Sequence, residues 1–177
     1  MFSYKRILII GSAGSGKSTF SKKLGELTNI PVIHLDKEYW LPNWQTPDKE
    51  VWRKRIEELT LVDSWIMDGN YGSTLDLRLK RADLVIFLDY NRFVCVRGVV
   101  KRSLNKKEHK RIDLAEGCTE KFDLDFIKWV WSFPKEYRPQ IIKSLDEHPN
   151  VEKIIFKNRK ESKKYLERLK AEKWKKV

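Results

Sequence analysis

Nine consecutive residues, Gly11, Ser12, Ala13, Gly14, Ser15, Gly16, Lys17, Ser18 and Thr19, combine the types and spacing that grip a polyphosphate. They fit G-x-x-x-x-G-K-[ST], and each part has a physical reason. Glycines at 11, 14 and 16 let the backbone take positive φ and come close to a ligand, so successive N–H groups can converge on phosphate oxygens. Lys17 supplies a mobile cation for the outer phosphates, and the Ser18 hydroxyl is placed to ligate Mg²⁺. Two carboxylates belong to the same chemistry. Asp68 closes an apolar run just before Gly69, where a carboxylate near the loop would serve the metal. Asp36 closes another run and is a candidate base for a hydroxyl acceptor, with helix capping or metal binding as alternatives. Tyr39, Trp40 and Trp44 follow it, rings that could stack on a base or another flat or apolar substrate.

These residues need a frame, and the apolar spacing supplies one. Arg6 to Ile10 reads as a buried strand, and Phe20, Leu24 and Leu27 recur at helical spacing, so the loop empties into a helix N-terminus whose dipole favours anions. Pro31 to Asp36 is a second expected strand, with Asp36 at its carboxyl end. Proline and aromatic residues from Glu38 to Pro47 predict a structured loop. A helix is expected from about Asp48, with Trp52, Ile56 and Leu59 on one face and Trp52 in the core. Ser64 to Asn70 reads as the third strand, 73–81 as a short helix, and Ala82 to Asp89 as the fourth strand. A basic helix over Arg92 to Lys107 follows, then an unpatterned charged stretch from Lys106 to Thr119. Phe122, Phe126, Trp129 and Phe133 mark another helix, Glu136 to Leu145 a further one, Glu152 to Phe156 the fifth strand and Glu161 to Trp174 the closing helix. Such alternation means a parallel sheet covered on both faces, whose ligands gather at the carboxyl ends of its strands. Gly11 to Lys17, Asp36, Asp68 and Asp89 all fall there.

Size and composition fit one domain over 1–177, with 41% hydrophobic residues in 177. No apolar run approaches membrane-spanning length and the chain begins directly on its first strand, so a cytoplasmic protein without a membrane partner is expected. Cys95 and Cys118 are too few and too poorly spaced for a disulfide framework or zinc site. The net charge of +12 is concentrated in 97–111 and 157–177. Either patch could attract a polyanion such as nucleic acid, or could simply be a solvated helix face.

Gly11 to Thr19, the strand-ending Asp36, Asp68-Gly69 and the basic helix after Asp89 together resemble the adenylate-kinase-like branch of P-loop kinases. The resemblance implies a three-layer α/β P-loop NTPase fold with a five-stranded parallel sheet of order 2-3-1-4-5. It also implies ATP as donor, Mg²⁺ held by Asp68 through water, a substrate-side segment at about 37–63 and a short helical lid at about 103–125. Longer runs are similar to bacterial DNA topology modulation (FlaR-like) proteins: His34-Leu-Asp36 followed by Tyr39-Trp40, Trp65 to Tyr71, Ala82-Asp83, Phe87 to Asp89, Lys101 to Ser103, and Arg111 with Gly117-Cys118 and Glu120.

Phosphoryl transfer in such a fold is mainly charge stabilisation, so lid arginines should converge on the transferring group. Arg102 and Arg111 are expected to act there, while Arg97 and Arg138 are divided between phosphate contact and surface ion pairs; Arg138 is placed with the substrate residues. Adenylate kinases carry an arginine shortly after the Asp-Gly-aromatic turn, but no arginine occurs here between Arg55 and Arg78. A nucleoside or other hydroxyl-bearing small molecule is therefore the expected phosphoryl acceptor. The alternatives are a nucleic-acid-binding ATPase or DNA topology modulator, and a kinase for the 5′-hydroxyl of a nucleic acid.

Overall fold

A computed structural model describes residues 2–104, 115, 117–118 and 123–174. Five parallel strands form one sheet in the order β2-β3-β1-β4-β5: β1 Arg6–Gly11, β2 Val32–His34, β3 Trp65–Asp68, β4 Leu84–Leu88 and β5 Glu152–Phe156. Helices cover both faces, α1 Lys17–Thr28, α2 Leu35–Tyr39, α3 Lys49–Thr60, α4 Leu75–Leu79, α5 Arg92–Leu104, α6 Leu124–Glu136, α7 Arg138–Asp146 and α8 Arg159–Trp174. The parallel sheet covered on both faces is the one the alternation predicts, and its strand order is that of the P-loop NTPase-type three-layer fold which the resemblance implies. Among the described residues no helix is long and apolar enough to cross a membrane.

The central strands are apolar throughout because both of their faces are covered. Ile7, Leu8, Ile9 and Ile10 are fully buried, and their side chains part by alternation. Leu8 and Ile10 join Met67, Val85 and Phe87 beneath Trp52, Ile56, Phe133 and Ile141. Ile7 and Ile9 join Ile66, Ile86 and Leu88 beneath Phe20, Leu24 and Val99. Burying each such side chain is worth about 1.5–3 kcal/mol, so a slip of one residue in register would reverse a large term. In register, β2 and β3 end together at His34 and Asp68, opposite Ile9, and β1 and β4 end together at Gly11 and Leu88, two residues further on. That edge of the sheet is where the candidate residues gather.

One boundary differs from expectation in a way that moves a side chain. β2 ends at His34, and Asp36 lies in the first turn of α2 rather than at a strand end. Leu35 is fully buried and anchors the turn, while Asp36 and Glu38 suit the positive end of a helix. The rest of the aromatic segment is irregular, as expected: a 3₁₀ turn at Pro42–Trp44 is closed by an antiparallel bridge between Leu41 and Gln45. The 73–81 segment forms a 3₁₀ turn at Gly72–Thr74 followed by α4.

Candidate functional site

β1 delivers the phosphate loop and α1 receives it. Gly16 stands at the N-cap of α1 with no side-chain cap, and the first turn carries no acidic residue, so the positive helix end meets a ligand without a resident anion. Lys17 folds over the loop, its Nζ donating to the carbonyls of Gly11 at 3.0 Å and Ser12 at 3.2 Å. Burial pushes the Lys17 ammonium below its ordinary value; the charges of Asp36 and Asp68 oppose that shift, and Arg102 adds to it. Lys17 thus feels both carboxylates and the α5 arginine. Ser15 is 3% exposed and its buried hydroxyl has no partner among the described residues. A phosphate oxygen would satisfy it, so these residues fit a nucleotide. Ala13 packs against the core, whereas Thr19 is exposed.

The loop is seated on α5 through glycine against glycine. A Cβ on Gly98 would lie 2.2 Å from the Gly14 carbonyl oxygen, and one on Gly14 would lie 2.0 Å from that of Cys95. Glycine inside a helix costs about 1 kcal/mol relative to alanine, and here it permits backbone contact that no side chain would allow. The spacing of the motif contains no hint of Gly98, because its partner is 84 residues away along the chain. Cys95 and Cys118 are both free and buried.

Asp68, 4% exposed, is paired by His34, whose Nδ1 lies 2.8 Å from Asp68 Oδ2. No spacing in the sequence pairs His34 with Asp68, which lies 34 residues away. Among the described residues no group of three or more His, Cys, Asp or Glu could hold a metal alone. A hydroxyl at Ser18 and one carboxylate at Asp68 suit Mg²⁺ shared with phosphates and water, which needs few protein ligands.

Asp36 accepts a hydrogen bond from the Tyr71 hydroxyl at 2.7 Å. Burial first, then Asp36, raises the phenol of Tyr71 far above its usual value, so it stays a donor. Tyr71 packs against Tyr39 at 4.7 Å and Trp52 at 5.2 Å between ring centroids. Tyr39 meets Trp40 at 5.0 Å, and Trp40 meets Trp44 at 5.2 Å. A continuous aromatic wall therefore runs from the Asp36 carboxylate to Trp44, which is 36% exposed. Its outer end touches a distant segment: Asn43 N–H donates to Gly117 O at 3.2 Å, and Cys118 Sγ–H donates to Leu41 O at 3.3 Å.

The arginines separate. Arg102 is near enough to Lys17 to act on its charge. Arg97 is exposed, beside Phe93 and Val100 on the outer side of α5. Arg138 donates through Nε to both oxygens of Asp89, at 2.9 and 3.0 Å, and Lys157 joins the same carboxylate. Burial pushes the Asp89 carboxyl up, but these two cations outweigh it and hold it below its ordinary range. Arg111 and most of the expected 103–125 lid lie outside the described residues. The basic stretch 157–177 is partly engaged within the protein, Lys157 on Asp89, Arg159 on the Gly14 carbonyl at 3.1 Å and Lys163 beside Glu167.

Three neighbours to which the sequence assigned no role complete the site. Asn70 grips Gly11, its Oδ1 accepting from Gly11 N–H at 3.0 Å and its Nδ2 donating to Gly11 O at 2.8 Å. Tyr71 holds Asp36. Arg78, fully buried, donates to the carbonyls of Gly69 and Tyr71 at 2.9 and 2.8 Å and to that of Asn70. Asn70 and Tyr71 stood in the Trp65 to Tyr71 run, directly after Asp68-Gly69, so their position was visible although their partners were not.

No protein-family model and no curated protein matches the sequence. Solved structures do. The chain is similar to shikimate kinase from Acinetobacter baumannii in complex with shikimate, at 15% identity over 94% of this chain and 91% of that one, with a TM-score of 0.62. It is also similar to shikimate kinase from Bacteroides thetaiotaomicron, at 17% identity over 96% and 98%, with a TM-score of 0.55. A third, from Aquifex aeolicus, has 16% identity over 93% and 92% and a TM-score of 0.51. Likeness at such identities establishes the fold alone, the three-layer P-loop NTPase type. It corrects the resemblance to adenylate-kinase-like and DNA topology modulation proteins: the three solved structures just named are shikimate kinases, and no family model supports the narrower assignment. The physical reason is that a glycine-rich loop, a strand-ending Asp-Gly and a basic helix are common needs of phosphate binding in this fold. They do not identify one branch of it.

Proposed function

We propose that this protein is an ATP- and Mg²⁺-dependent phosphotransferase whose acceptor is a small hydroxyl-bearing molecule. One observation carries the reading: the turn after β3 ties Gly11 of the phosphate loop through Asn70 and Asp36 through Tyr71, so the loop and the carboxylate that heads the aromatic wall share one anchor. The fold shared with shikimate kinases, one of them solved with shikimate, supports a hydroxyl acceptor over a phosphate one.

In this reading the residues divide the work. Gly11 to Thr19 bind the triphosphate, and Lys17 with Arg102 offsets charge that develops on the transferred group. Ser18 and Asp68 would hold Mg²⁺, which when bound neutralises phosphate charge; His34 keeps the Asp68 carboxylate oriented. Asp36 orients the acceptor hydroxyl and takes its proton, while Tyr39, Trp40 and Trp44 provide faces for a flat or apolar substrate. Arg111 is assigned to the transferring group and Arg138 to the rim of the substrate side, where its pairing with Asp89 would have to open for contact.

The test is transfer of labelled γ-phosphate from MgATP to nucleosides, shikimate and simple sugars, by the wild type and by Lys17→Ala. Transfer that disappears in the variant while its melting temperature holds is the expected result. Transfer neither to any of the panel nor to water, or equal transfer by the variant, overturns the reading.

A further inference from the structure

The turn after β3 holds two parts of the site at once, and a third shares one of its partners. Through Asn70 it holds both main-chain groups of Gly11, the first residue of the phosphate loop. The same Gly11 carbonyl also receives Lys17 Nζ. Through Tyr71 the turn holds Asp36 Oδ1. A short path of hydrogen bonds and two peptide units therefore connects the proposed acceptor carboxylate to the proposed phosphate-binding lysine.

Nothing about this turn is relaxed. Tyr71 sits at φ 36°, ψ 68°, a region that residues with side chains seldom occupy unless their surroundings enforce it. Arg78 does the enforcing, since its guanidinium donates to three successive carbonyls, Gly69, Asn70 and Tyr71, and also to Thr74 O at 3.3 Å. Burial pulls this guanidinium down to about 9, which measures how poorly the interior suits its charge. An apolar side chain would fill the same space without that cost, so packing does not account for an arginine here. Orientation of the carbonyls does. The Tyr71 ring is further locked between Tyr39 and Trp52.

We infer that the Gly69-Asn70-Tyr71 turn, clamped by Arg78, is a strut that sets Asp36 relative to the phosphate loop, with Tyr71 and Asn70 as its positioning residues. The inference rests on the reading that Asp36 serves the acceptor. Its consequence is geometric: the strut holds the base at a fixed offset from the transferring phosphate, where a displacement of about 1 Å costs on the order of a hundredfold in rate. Neither Tyr71 nor Asn70 touches the reacting atoms in this account.

Hydrolysis of MgATP, with water as the acceptor that is always present, tests it, alongside binding of a fluorescent ATP analogue and melting temperature. Tyr71→Phe removes one hydroxyl and should lower turnover about tenfold while analogue affinity stays within about twofold. Asn70→Ala should lower turnover and also weaken analogue binding, because it releases Gly11. The double variant should turn over about as slowly as the slower single, since both break one strut. Wild-type turnover in Tyr71→Phe, or full multiplication of the two losses, overturns the inference. So does a fall in melting temperature and analogue affinity that accounts for the whole loss. Asp36→Asn in the same assay separates the two levels: if it hydrolyses like the wild type, the acceptor reading itself fails, whereas a slow Asp36→Asn beside a normal Tyr71→Phe removes the strut alone.

Discussion

Between Gly11 and Gly16 the working groups belong to the main chain, and the residues that shape them are small: Gly14 against Gly98, Gly16 at the head of α1, Asn70 on the peptide of Gly11. Around Asp36 the working groups are side chains, Tyr71 on the carboxylate and Tyr39, Trp40 and Trp44 leading outward. A main-chain site tolerates few substitutions at its glycines, because a Cβ on Gly11 or Gly14 meets neighbouring backbone and Gly16 holds a positive φ, yet it accepts the same ligand group in every protein that builds it. A side-chain site can be rebuilt residue by residue. The contrast is in keeping with a fold that is shared with shikimate kinases at only 15–17% identity. It also directs attention for acceptor choice to the aromatic wall and the Asp36 turn.

Lys17→Ala should cut the comparison most deeply. Loss of about 10³-fold or more in γ-phosphate transfer is expected, with melting temperature little changed, because the ammonium is desolvated in the fold and stabilises the transferred charge instead. Kinetics with labelled ATP read it directly. Asp36→Asn should act on the other side alone, lowering turnover by about 10²-fold while a fluorescent ATP analogue binds as before. Equal damage to nucleotide affinity would merge the two regions into one.

Gly98→Ala sharpens the main-chain half. The added methyl meets the Gly14 carbonyl, so a cost of about 1–3 kcal/mol in stability is expected from denaturant titration. Nucleotide binding should weaken with it, but affinity for an acceptor should not. The smallest effect belongs to Asp89, which serves neither half directly. Arg138 and Lys157 hold its folded-state carboxyl below the ordinary 3.8, so on acidification the unfolded chain takes up the proton first. This contribution is whole above that value and fades as pH falls through the folded one. Melting curves should show wild type above Asp89→Asn near neutrality and the gap closing below about pH 4.

How far these features could be read beforehand follows the same division. Five strands, the helices between them and the loop from Gly11 to Thr19 were legible because local spacing encodes them: period-two or continuous apolar runs, helical repeats, and glycines at fixed offsets. β5 fell on Glu152–Phe156 as expected, and Trp52 is 3% exposed in the core. Asp36 illustrates a near miss. Its place at the end of an apolar run was visible, but β2 ends two residues sooner than the run suggested, and the chain enters α2 at the buried Leu35.

The chain by itself determined which segments become strands and helices and that one loop has the chemistry of a phosphate grip, since those properties depend on residues a few positions apart. Only the tertiary structure decided that His34 faces Asp68, that Tyr71 holds Asp36, that Arg78 orients the turn between them and that Gly98 admits Gly14. Those pairings depend on which strand ends reach the same level and how closely two backbones can approach. Distances of that kind are fixed by packing of the whole sheet, and no short stretch of sequence contains them.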